Sequence, residues 1–136
     1  MSDHELEKIR LKKAEEIMKL KSMPKGIINI HGIDQFNQIL KENSNMITIV
    51  DFWAIWCGPC MSFAPTFEKL QQEHANEFIF MKVNVDENGE IAQKYRISAI
   101  PTTLFVKDAK VIHQVVGAMN YNKMKSILQQ LKDISH

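Results

Sequence analysis

The sequence predicts an α/β domain: a mixed β-sheet with helices on both faces, preceded by a charged helix. Three observations predict it. Apolar, β-branched runs alternate with helix-period segments through most of the chain, the order that builds parallel strands with helical crossovers. Two further strand-like runs then follow one another across a short polar connection, as in an antiparallel hairpin. The beginning of the chain is instead dense in charge and ends at the helix-breaking Met23-Pro24-Lys25-Gly26, which divides an extension over residues 1–26 from a domain over 27–136.

Each element has a local cause. Residues 3–22 are expected to be helical, with Ser2 and Glu5 as a capping box and Leu6, Ile9, Ile17 and Leu20 near one face. Lys13 interrupts that face, so a solvated extension competes with docking or self-association. Ile27 to Ile30 reads as a short strand, and Gly32 to Leu40 as a helix burying Ile33, Phe36, Ile39 and Leu40. Met46 to Trp53 reads as a buried strand, and Pro59 opens a helix running to about Ala75, with Pro65 inside it. Phe78 to Val85 is the next strand, and Glu90 to Tyr95 a short helix. Thr102 to Val106 and Val111 to Val116 form the hairpin, joined by Lys107-Asp108-Ala109-Lys110. Asn120 to Leu131 closes the chain as a helix facing inward through Met124, Ile127, Leu128 and Leu131.

Composition narrows the function. The formal net charge of +1 gives no electrostatic reason to expect nucleic acid or an anionic membrane as partner. No apolar run approaches transmembrane length, and no signal peptide is expected. The chain has 2 cysteines, both in one motif, which suits a reducing cytoplasm better than a disulfide-stapled exterior.

That motif is Cys57-Gly58-Pro59-Cys60, between the strand ending at Trp53 and the helix opened by Pro59. A sulfur at a helix start faces unpaired N–H groups and the positive end of the helix dipole, so the thiolate of Cys57 is favoured. One helical turn separates Cys57 from Cys60, which places their Cα atoms at about 5–6 Å, within disulfide range. Cys57 can then attack a disulfide and Cys60 can resolve the mixed disulfide. A zinc half-site would need two further ligands, yet there is no other Cys and the His residues are scattered. A purely structural disulfide closing so short a loop would contribute only about 2 kcal/mol.

The stretch from Asp51 to Cys60, with Trp53 and Trp56, closely resembles the active-site segment of the thioredoxin family. The likeness continues through Ala64-Pro65, Val83-Asn84-Val85-Asp86, Ile100-Pro101-Thr102 and Gly117-Ala118, and so covers about Ile27 to Leu131. It implies the thioredoxin fold, a five-stranded mixed sheet flanked by four helices. It also implies that Asp51 is buried behind the dithiol and takes the proton from Cys60; the alternative is a strand-end residue reaching water. Lys82 is implied to lie near Asp51 and pair with it, against a solvated lysine on a strand edge. Gly58 and Pro59 are implied to tune the dithiol toward reduction. Ile100-Pro101 resembles the family's cis-proline. Trp56, Ile100, Pro101, Gly117 and Ala118 are implied to hold an extended substrate, against ordinary core or turn packing. Ile55 and Met61 stand where the family commonly carries an acid and a base, which makes the rim more apolar.

The expected function is therefore a cytoplasmic, monomeric protein-disulfide reductase, without cofactor or metal. Its expected partners are protein disulfides and a thioredoxin-reductase-type electron donor, with neither nucleic acid nor membrane. The rival expectations are an oxidase or isomerase of the same fold, or a binding or chaperone-like module acting through the N-terminal helix.

Overall fold

The computed structural model describes residues 26–134 together with Glu5, Glu7 and Arg10, which are helical and exposed. The remainder of the helix expected over 3–22 lies outside the described residues. The elements are β1 (Ile27–Asn29), α1 (Ile33–Glu42), β2 (Thr48–Trp53), α2 (Gly58–Glu73), β3 (Ile79–Asn84), α3 (Gly89–Lys94), β4 (Thr102–Lys107), β5 (Lys110–Val116) and α4 (Tyr121–Ile134). The strand order is β1-β3-β2-β4-β5. The first three of these run parallel, while β4 is antiparallel to β2 and β5 to β4. This is the five-stranded mixed sheet that the sequence pattern and the resemblance implied together.

Period-two alternation sends the two sides of each strand into different layers. Ile49, Phe80 and Phe105 face α2 and α4, where they pack with Phe63, Phe67, Leu70, Met124 and Leu128. Val50, Phe52, Met81, Val83 and Leu104 face the other way, onto Phe36 and Leu40 of α1 and Ile91 of α3. Strand β2 is paired on both edges and covered on both faces.

The parallel strands end together, so the loops after them meet at one end of the sheet. Buried Asn88 ties two of these loops to each other. Its Oδ1 accepts from the Gly32 N–H at 2.8 Å, and its Nδ2 donates to Ile30 O at 3.2 Å and Asn84 O at 3.1 Å. At the opposite end the hairpin is tighter than expected. Lys107 pairs with Lys110, so only Asp108 and Ala109 turn the chain. Their φ values of 52° and 61° are both positive, the signature of a type I′ turn, whose twist matches that of the flanking strands. The Asp108 N–H also donates to Ser44 O at 3.1 Å, anchoring the turn to the loop before β2.

A left-handed conformation costs a residue with a Cβ about 1–2 kcal/mol, and the greater freedom of glycine when unfolded returns part of that. Ala109→Gly is expected to raise stability by roughly 0.5–1 kcal/mol. The check is a higher denaturant midpoint at unchanged slope; a lower midpoint would mean that Ala109 is unstrained.

Candidate active site

The site begins where β2 ends. The Cys57 N–H donates to Ala54 O at 3.2 Å, which turns the chain out of the sheet and into α2. Cys57 is the N-cap of α2, and Pro59 stands in the first turn, where no backbone donor is lost. The Cys57 sulfur accepts from the Cys60 N–H at 3.2 Å, as a Ser or Asp oxygen does at other helix starts. Cys57 and Cys60 are joined as a disulfide with Cα atoms 5.3 Å apart. Cys57 is flanked by exposed Trp56 and Gly58, whereas Cys60 lies on the buried side of the first turn.

A second segment closes on the pair from the side of the hairpin. The Ile100–Pro101 peptide bond is cis. Ile100 O lies 3.8 Å from the Cys57 sulfur. The Thr102 hydroxyl donates to Ala99 O at 2.6 Å, and the Gly117 N–H donates to Pro101 O at 2.8 Å, which joins the end of β5 to the loop before β4. Gly117 has φ of 102°, so a side chain there would be strained even with open space around it. Ala118 beside it is exposed. The structure thus sets Ile100 beside Cys57 and ties Gly117, with Ala118 next to it in sequence, to Pro101.

Trp56 overhangs the same place at 68% exposure. Its indole N–H donates to Asp86 Oδ2 at 2.9 Å, fixing an otherwise free ring. Between Trp56, Val85, Ala92, Ile97 and Ile100 runs a groove of about 440 Å³. Ile55 and Met61 are also exposed, so the rim is apolar, as the sequence implied.

Asp51, in the strand that leads to the dithiol, is fully buried. Two residues beyond Ile49 on the same strand, it points to the face covered by α2. Neither of its carboxyl oxygens has a hydrogen-bond partner within the protein. Loss of hydration pushes its pKa up from 3.8 to about 7, with the positive charge of Lys82 opposing the rise. Lys82 is the register neighbour of Asp51 on β3. The implied pairing is not a direct ion pair, however. The Lys82 ammonium rests over the Trp53 ring, 4.6 Å from its centroid, and acts on Asp51 through space. Trp53, expected only to pack, thus also holds Lys82.

Three contributors escaped the sequence reading. Asp86 steadies Trp56, Asn88 ties the loops, and Thr103, fully buried, is the register neighbour of Asp51 on β4. Among the described residues no group of three or more His, Cys, Asp or Glu is placed to hold a metal ion. No helix among them is long and apolar enough to cross a membrane.

Comparison with known proteins agrees with this geometry. Residues 28–130 match the family model described as thioredoxin. Thioredoxin 2 of Chlorobaculum tepidum is 44% identical over 97 residues, covering 71% of this chain and 89% of that protein. The thioredoxin of Bacillus subtilis is 44% identical over 90 residues, covering 66% and 83% respectively. Among solved structures, Fasciola hepatica thioredoxin superposes with a TM-score of 0.71 at 36% identity, over 76% of this chain and 97% of that one. A disulfide at the start of α2, a five-stranded sheet beneath it and a match that runs from β1 into α4 have one meaning: the chain belongs to the thioredoxin family and is a thiol–disulfide oxidoreductase.

Proposed function

We propose that this chain is a cytoplasmic, monomeric reductase of protein disulfides, carried by the domain over 27–136 and regenerated by a thioredoxin-reductase-type donor. The observation that carries the reading is the Cys60 N–H aimed at the Cys57 sulfur from the first turn of α2. In the reduced protein this donor and the helix terminus favour a thiolate on Cys57. The thiolate attacks a substrate disulfide, forming a Cys57–substrate bond and releasing one substrate sulfur as a thiolate. Asp51 then takes the Cys60 proton, and the Cys60 sulfur attacks Cys57. The second substrate sulfur leaves, two electrons have passed to the substrate, and the Cys57–Cys60 disulfide is restored.

The surrounding residues are assigned by position. Ile100 and Pro101 present the backbone edge that an extended substrate pairs with, Gly117 and Ala118 let it approach, and Trp56 covers it. Gly58 and Pro59 set the redox poise by fixing the first turn. Lys82 limits how far burial raises the pKa of Asp51.

Cys57→Ser is expected to abolish insulin-disulfide reduction. Cys60→Ser is expected to accumulate mixed disulfides that a gel without reductant displays. Equal trapping by both variants would reverse or remove the assigned roles.

Asp51→Asn separates stability from turnover. A folded pKa of about 7 against 3.8 means that the native state holds this proton more tightly than the unfolded chain. The stabilisation from the bound proton is full below about pH 4 and is lost as pH rises through about 7, amounting to roughly 4 kcal/mol above it. Asn cannot ionise, so the variant's advantage in denaturant titrations should be near zero at pH 4 and several kcal/mol at pH 8.5. Release of the mixed disulfide should slow, because the proton acceptor is gone. An Asn variant less stable than the parent at pH 8.5 would place Asp51 in contact with water.

A further inference from the structure

The sheet contains a polar group that the cycle above does not use. Thr103 is fully buried in β4, and its hydroxyl oxygen has no hydrogen-bond partner within the protein. Asp51 and Thr103 are direct partners in the antiparallel β2–β4 ladder. Side chains directly opposite in such a ladder share a face, with Cβ atoms about 4.5–5.5 Å apart. Three unsatisfied oxygens, two from Asp51 and one from Thr103, therefore lie side by side under α2. Unsatisfied polar atoms in a core cost stability, so three together at one place call for an explanation.

A hydroxyl is a neutral group that serves both forms of a carboxyl. It accepts from the protonated form and donates to the ionised form. Resting on the reading of Asp51 as the acceptor for the Cys60 proton, we propose that Thr103 is the positioning residue for that transfer. Neither group has a partner within the protein, so the Thr103 hydroxyl reaches the Asp51 carboxyl through one bridging water and stabilises the carboxylate as the proton arrives. The balance favours the ionised form because a hydrogen bond to a charged acceptor is roughly twice as strong as a neutral one. An apolar residue at 103 would leave Asp51 with Lys82 alone to oppose the cost of burial.

The other groups around Asp51 bear on the same equilibrium. Lys82 acts on Asp51 from β3, α2 begins at the Cys57–Cys60 pair, and the core residues that α2 and α4 present to this face of the sheet are the apolar Phe63, Phe67, Met124 and Leu128. In the oxidised protein the cysteines do not titrate, which leaves Asp51 with Lys82 as its charged neighbour.

The test uses the oxidised full chain with ¹³C-carboxyl aspartate, the Asp51 signal being assigned by its loss in Asp51→Asn. In Thr103→Val, which keeps the shape, the Asp51 midpoint is expected to rise by about one pH unit. Thr103→Ser should return it to the parent value. In single-turnover reduction, release of the mixed disulfide by Thr103→Val should slow several-fold at pH 6.5 and recover toward parent rates at pH 9. If the valine variant does not fold, Thr103→Ala supplies the same readout. An Asp51 midpoint unchanged in a folded Val or Ala variant overturns the proposal, whatever the rates do. A parent-like release rate in Asp51→Asn would instead remove the underlying role of Asp51 without moving that midpoint, so the two failures are distinguishable.

Discussion

One carboxyl group, that of Asp51, is buried in a strand that is paired on both edges and roofed on both faces. Its two oxygens find no partner in the protein, and its pKa rises to about 7. On its flanks β3 and β4 close the strand laterally, while α2 lies above it. An apolar residue would be cheaper here. The rest of the site can be understood as the set of neighbours that make this group tolerable. Lys82 supplies positive charge from the adjacent strand but parks its ammonium on Trp53, which avoids a contact pair and keeps the carboxyl titratable near neutrality. A contact pair would have held Asp51 ionised and too weak a base to matter.

The dithiol adds a second charge to the same enclosed space. In the proposed cycle a thiolate on Cys57 and a carboxylate on Asp51 disfavour one another, so their titrations are coupled. Once Cys57 is consumed in a mixed disulfide, that charge is gone and Asp51 ionises more readily. On the proposed cycle the group therefore becomes a base at the moment when Cys60 has a proton to lose. This ordering needs no conformational change. It follows from the one charge that the covalent step removes and from the short span between the two sulfurs, whose Cα atoms are 5.3 Å apart.

Much of this was legible in the sequence because its causes are local. Pro59 and the period of Phe63, Phe67 and Leu70 mark the start of α2, which is enough to put Cys57 at its cap. The apolar neighbours of Asp51 announce its burial. The parts that stayed hidden are set by distant pairings. Asp86 reaches Trp56 because β2 and β3 are parallel neighbours whose loops emerge together, which depends on strand order. Thr103 lies opposite Asp51 through a register fixed across the β2–β4 ladder. Lys82 chooses the Trp53 face over the carboxylate by rotamer, a choice that composition does not encode. The hairpin's position is legible at Lys107-Asp108-Ala109-Lys110, but its turn type is not, because Ala109 takes a left-handed conformation that its side chain disfavours.

The outer residues obey a different logic from the inner ones. Ile55 at 73% and Trp56 at 68% exposure, with Met61 beside them, form an apolar rim around a buried pair of sulfurs. Of these side chains, that of Trp56 is held by a hydrogen bond, and its partner Asp86 lies on a loop after β3 rather than in the sheet. Changing Ile55 or Met61 leaves the helix cap, the cis loop and the buried carboxyl where they are. Exposed apolar side chains near a reactive sulfur reward partners that cover them, since covering each recovers about 25 cal/mol per Å² of apolar surface. Charged residues at the same positions would reward opposite charge and make encounter rates salt-dependent. The inner layer therefore sets what the sulfurs do. On the proposed function, the rim bears on which disulfides reach them, and its exposed Ile55, Trp56 and Met61 offer apolar contact rather than charge.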